Sequence, residues 1–211
     1  MESYGSIVRF FQDGGAFMYP IMIVLALGVS IAIERYFYLS RSTSVNRRIW
    51  SQLMPLIRAG DYKKALAITS ESKSAIGKIL NYGLARTGTG RRRDDIETAM
   101  EEGLMEVVPS LEKRTHYIAT FANIATLLGL LGTIIGLIDA FTAVSHADPA
   151  EKADLLSASI SVAMNTTAFG LMVAIPLLLV YSVLQSKTTT LVDSLEMASV
   201  KFINMLTEKK A

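Results

Sequence analysis

Three stretches of the chain are apolar for long enough to cross a bilayer, and in two of them small and polar residues recur at helical spacing. The first, 17–39, carries Pro20 in its opening turn, where a missing N–H costs least. It closes on Glu34, Arg35, Tyr36, Phe37 and Tyr38, the mixture of charge and aromatics expected at a membrane boundary. The second, 117–144, holds Ala122, Thr126, Gly129, Thr133, Gly136 and Ala140 at spacings of 4, 3, 4, 3, 4, with leucine and isoleucine filling most other positions. The third, 157–184, lies in the charge-free run Leu155–Ser186 and has a matching stripe at Ala163, Thr167, Gly170 and Ala174. Small stripes let helices approach closely. Asn165, Thr166 and Thr167 are consecutive, so they sweep about 200° of the helix and cannot share one narrow face. Polar groups at such depth seek protein partners or a wet cavity. Two readings stay open: a packing seam whose hydroxyls bond back to the i−4 carbonyl, or an ion pathway.

Between the first two spans, 40–116 is soluble in character. Apolar positions recur at helical period in Ile49, Leu53, Leu56 and Ile57, in Tyr62, Ala65, Leu66 and Ile68, and in Ile76, Ile79, Leu80 and Leu84. Gly60-Asp61 and Ser72-Lys73-Ser74 read as the turns between these helices. Asp94 is the expected cap of a further helix with Asp95, Glu97, Glu101 and Glu102 in its first turns. That helix is expected to bend at Pro109 and continue into the second span. The 145–156 segment is a tight hairpin. At 1.5 Å per residue the charge-free run is about 48 Å long, more than a hydrocarbon core of about 30 Å requires. The third helix should therefore project beyond the membrane, and Leu191, Leu195, Ala198, Phe202 and Met205 continue an apolar stripe along it. Residues 1–16 form an amphipathic lead-in, with Ile7, Val8, Phe10 and Phe11 offering an apolar side and no signal-peptide pattern.

The fold class is thus all-α: a polytopic membrane protein with three transmembrane helices, two of them extended into a cytoplasmic helical bundle. A 51% hydrophobic content and a mean hydropathy of +0.37 agree. Basic residues concentrate in 40–116, whereas the hairpin holds three acids and only Lys152. Basic segments stay inside, so the N-terminus is periplasmic, and 40–116 and the tail 185–211 are cytoplasmic. Cysteine is absent, which removes thiol chemistry and disulfides, and His116 and His146 are isolated from other metal ligands. No nucleophile–base pair stands out, so no enzyme activity is expected. TGTGRRR at 87–93 lacks P-loop spacing and reads as an exposed basic loop, suited to anionic headgroups. Asp139 lies toward the outer end of the second span, off the small stripe.

GGAFMYPIMIVLALGVSIAIERYFYL at the first span, LLGLLGTIIGLIDAF at the second and NTTAFGLMVAIPLLLVY at the third resemble the MotA/TolQ/ExbB proton-channel family, most closely its ExbB/TolQ branch. The resemblance covers nearly the whole chain. It implies a subunit of a bacterial inner-membrane motor, in which a homopentamer surrounds the single-span helices of an ExbD/TolR-like partner dimer. A TonB/TolA-like protein is a further partner. Ion flow then drives work in the periplasm or outer membrane. No cofactor and no nucleic acid is implied; the transported ion is H+, with Na+ as the alternative. Thr133 and Thr167 match the family's pore-lining threonines, and Asn165, Thr166 and Thr126 join them in the expected ion pathway. Ala122, Gly129, Gly136, Ala140, Ala163, Gly170 and Ala174 form the expected pore-facing small stripes. Relatives often carry glutamate in the third span where this chain has Val162. The ion-binding aspartate is therefore expected on the partner. The competing readings are a non-conducting membrane scaffold and a MotA-like flagellar or gliding stator subunit, the MotA branch having four spans against the three found here.

Overall fold

The computed structural model describes residues 10–11, 14–87 and 92–208. Among these, all regular structure is helical: α1 (Met18–Ala59), α2 (Tyr62–Glu71), α3 (Ala75–Thr87), α4 (Arg93–Glu112), α5 (Thr115–His146) and α6 (Lys152–Glu208). Three helical segments, in α1, α4–α5 and α6, are long and apolar enough to span a bilayer, and the protein is a multi-pass membrane protein. The chain divides into two compact units. The membrane unit comprises Met1–Ile33 and Arg114–Val183; the extramembrane unit comprises Glu34–Lys113 and Leu184–Ala211. Much of the lead-in, at 1–9 and 12–13, and the 88–91 portion of TGTGRRR lie outside the described residues.

Local chemistry explains the helix ends. Gly60 takes φ +80°, its N–H bonds the Ile57 carbonyl, and the Asp61 N–H bonds Leu56. That left-handed turn closes α1 on its own last carbonyls and suits glycine, which has no Cβ to clash. Asp61 then accepts from the Lys64 N–H at 3.2 Å and starts α2. Ser74 Oγ accepts from Gly77 N–H at the start of α3.

Two expectations about α4 are corrected. Asp94 lies inside the first turn rather than capping it, since the cap position is Arg92, whose N–H donates to the Asp95 carboxylate at 3.3 Å. The helix also does not run on into the second span. Pro109 stays inside α4, and the Lys113 N–H still bonds the Pro109 carbonyl. Lys113 then turns extended (ψ 134°) and Arg114 adopts φ 68°, so helical geometry restarts only at Thr115. A residue at positive φ cannot continue a right-handed helix.

The extramembrane core is built from large side chains. Leu53, Ile57, Ile79, Leu80, Leu84, Met100, Leu111, Leu191, Leu195 and Phe202 are all buried. Gly83 lets Met100 and Phe202 close over α3: a Cβ there would lie 2.8 Å from Met100 Cγ. Arg35 is buried as well; its guanidinium sits 4.9 Å from the Tyr38 ring centre and donates to the Leu111 carbonyl in the last turn of α4. A cation there satisfies an end-of-helix carbonyl and complements the negative end of the dipole.

Candidate functional site

In the membrane unit α5 and α6 run antiparallel and meet through small residues. A Cβ on Gly170 would lie 2.7 Å from the Ala125 carbonyl oxygen and 3.1 Å from Gly129 Cα. One on Gly129 would lie 3.3 Å from Gly170 Cα and from Thr167 Cα, and one on Gly136 2.9 Å from Ala163 Cβ. Backbone thus touches backbone, which only the smallest side chains permit.

The seam is rotated from the one expected. Its buried positions on α5 are Ile118, Ala122, Ala125, Gly129, Gly132 and Ala140, so Ala125 and Gly132 stand where Thr126 and Thr133 were anticipated. On α6 the buried set is Ala163, Thr166, Gly170, Val173, Ala174 and Leu177; Leu177 lies against Gly28 of α1 and Thr166 against the Gly14 carbonyl, while the Cα of Thr167 meets α5 at Gly129. Six of the seven residues expected to line a pore (Ala122, Gly129, Ala140, Ala163, Gly170 and Ala174) are therefore closed off within a single chain, and Gly136 is half-buried against Ala163. Within the protomer these residues pack one helix against another.

Rotation leaves the two threonines at the seam's edge, half-buried and facing each other. Thr133 Oγ1 and Thr167 Oγ1 are 2.6 Å apart. Both also reach the Gly129 carbonyl, Thr167 at 2.8 Å and Thr133 at 3.1 Å. Two hydroxyl protons serve three short contacts. Either threonine can donate to the carbonyl while the other donates to it, so the proton order can reverse without moving a heavy atom. Each oxygen keeps acceptor capacity for a water or an ion's shell, and no fixed charge is added.

The other expected pathway residues are placed differently. Thr166 is 2% exposed and donates to the Gly14 carbonyl at 2.6 Å, tying the turn before α1 to the third span. Gly15 makes that turn with φ +73°. Buried and partnered inside the protomer, Thr166 acts as a tether. Gly132 leaves room for it, since a Cβ there would lie 2.5 Å from Thr166 Cγ2. Thr126 is exposed and donates to the Ala122 carbonyl at 3.2 Å. Asn165 is half-buried, with no side-chain hydrogen bond to the described residues. Asp139 is exposed. Val162 packs against the Gly15 turn, where an added Cβ would meet its Cγ1 at 3.1 Å. Sequence reasoning missed Ala125, Gly132 and the Thr166–Gly14 tie. The first two obey the same small-residue spacing as the stripe chosen, so the signal was present but doubled.

Residues 71–197 match the MotA/TolQ/ExbB proton channel family. The chain belongs to that family. Relatives place it in the ExbB/TolQ branch. It is 29% identical to a biopolymer transport protein ExbB homolog of Methanothermobacter thermautotrophicus, over 92% of this chain and 68% of that one. It is 31% identical to biopolymer transport protein ExbB-like 1 of Synechocystis, over 87% and 72%. Against the Tol-Pal system protein TolQ of Haemophilus influenzae it is 33% identical over 52% and 46%. The family match spans α3 to most of α6, and so includes both helices that carry the threonine pair.

Proposed function

We propose that this chain is the proton-conducting subunit of a motor in the bacterial inner membrane, one that couples the ion-motive force to work in the periplasm or outer membrane. TonB-dependent import and Tol-type envelope maintenance are the two forms of work this branch of the family suggests. The observation that carries the reading is the Thr133–Thr167 hydroxyl pair, half-buried at the edge of a backbone-tight seam in the second and third spans. Several copies, five by family likeness, would enclose the single-span helices of an ExbD/TolR-like dimer, with a TonB/TolA-like protein beyond. Basic residues concentrated in 40–116 support a periplasmic N-terminus and a cytoplasmic tail.

Threonine has no accessible pKa, so it cannot carry the proton by itself. The third span is free of carboxylates, and Asp139 lies exposed and off the seam. The ion-binding carboxylate therefore belongs to the partner's aspartate, which Thr133 and Thr167 hydrate and orient as one ring moves against the other. H+ is the ion the family likeness favours, with Na+ as the alternative. Proton flux in vesicles reconstituted with both proteins, and its absence with this chain alone, is the expected result. Gradient-driven flux through this chain alone, abolished by Asp139→Asn, would move the ion-carrying group here. A second reading, a non-conducting scaffold, draws on the fact that both hydroxyls already have partners within the protomer; lack of flux in any combination would favour it.

A further inference from the structure

The extramembrane unit contains a cavity of about 450 Å³ that the conduction reading does not use. Its wall includes Tyr38, Arg41 and Asn46 from α1, Lys73 and Ser74 from the α2–α3 turn, and Lys78 from α3. Three cations thus converge with one carboxylate, Glu106 of α4. Glu106 is already engaged: it accepts from Tyr82 Oη at 2.8 Å and pairs with Lys78 at 3.3 Å. Those two contacts, Tyr82 first, hold its carboxyl below the usual range, so it stays ionised and occupied. Arg41 and Lys73 have no ion-pair partner among the described residues.

The cavity also lies at the start of α3, the positive end of the helix dipole. Asn46 Oδ1 takes the Ile76 N–H at 3.3 Å. Fixing the amide this way leaves Asn46 Nδ2 without an acceptor, on a side chain only 5% exposed. A buried donor without a partner costs free energy, and such a group in a cavity wall calls for an acceptor-rich ligand. Tyr38 and Leu111, both in the wall, lie within a few residues of the ends of apolar spans along the sequence.

We infer that this cavity binds a phosphate-bearing anion, with Arg41 and Lys73 as its charge partners and the Asn46 side-chain amide as a neutral donor. The chemistry fits an anionic lipid headgroup or free phosphate alike, and does not depend on ion conduction. The test uses the full chain in mild detergent, with Trp50 fluorescence reporting thermal unfolding. Probes are dioctanoyl phosphatidylglycerol, dioctanoyl phosphatidylcholine and inorganic phosphate. Phosphatidylglycerol should raise the midpoint, phosphatidylcholine should not, and Arg41→Gln/Lys73→Gln should need about ten-fold more lipid for the same shift. Lys63→Gln, on exposed α2, should respond as the parent does. A shift reached with inorganic phosphate at lower concentration than with lipid assigns the site to free phosphate. No shift with either anion, or an undiminished shift in the double variant and in each single variant, overturns the inference.

Discussion

The two units of this protein are held together by opposite kinds of residue. In the extramembrane unit large side chains fill the interior, and Leu80, Met100 and Phe202 are buried almost completely. In the membrane unit the closest α5–α6 contacts are made by glycine, alanine and threonine, with Met18, Ile21, Ile118, Val173 and Leu177 the larger side chains buried beside them, while Leu127, Leu179 and Phe141 stay more than 60% exposed within the chain. The solvent explains the difference. Water drives leucine inward, about 25 cal/mol for each Å² of apolar surface covered, whereas lipid tails are as apolar as leucine and give it no reason to hide. What remains to hold helices together in lipid is close backbone approach and hydrogen bonding, which small residues and hydroxyls supply.

That contrast can be broken most severely at Gly170. Leucine there would drive four side-chain carbons toward the Ala125 carbonyl, already 2.7 Å from a bare Cβ. Gly170→Leu should abolish the folded membrane unit, read as aggregation in size-exclusion chromatography and rapid proteolysis in detergent. Ile134→Leu, exposed on the same pair of helices, should elute and resist protease as the parent does. Equal behaviour would mean the seam is misplaced.

A smaller effect sharpens the comparison from the other side. Leu80→Ala empties a fully buried site in the extramembrane unit and should cost about 2–5 kcal/mol in denaturant unfolding. Leu127→Ala removes the same atoms from a residue 63% exposed in the membrane unit and should cost well under 1 kcal/mol. A similar cost at both positions would show Leu127 to be packed by another subunit rather than by lipid.

Much of this was legible in the sequence. Gly60-Asp61 and Ser72–Ser74 do separate helices, and Leu53, Ile57, Ile79, Leu80, Leu84, Leu191, Leu195 and Phe202 are buried at the spacing their periodicity foretold. Water-soluble helices advertise their inner face by contrast between large apolar and polar residues. The α5–α6 seam has no such contrast. Ala122, Gly129 and Ala140 are common to two small-residue stripes, one passing through Thr126 and Thr133 and the other through Ala125 and Gly132. Spacing cannot choose between stripes that share members; only the neighbouring helix does, through contacts such as Gly170 on Ala125. Asp94 and Arg114 were illegible for another reason. Helix ends depend on individual backbone angles, and an arginine at φ 68° carries no compositional mark. Arg35 read as a boundary charge because its acceptor, the Leu111 carbonyl, is remote in sequence.

The threonine pair tests the account most directly. Proton flux should be measured in vesicles holding this chain with its single-span partner, comparing the parent with Thr133→Val and Thr167→Val. Valine keeps the shape at the seam's edge and deletes only the hydroxyl. Removing either one breaks the 2.6 Å contact and the reversible proton order around the Gly129 carbonyl. Flux should fall about ten-fold or more in each variant, a barrier increase of about 1.4 kcal/mol, while the complex elutes unchanged. Parental flux through an intact Thr133→Val/Thr167→Val complex would contradict the account.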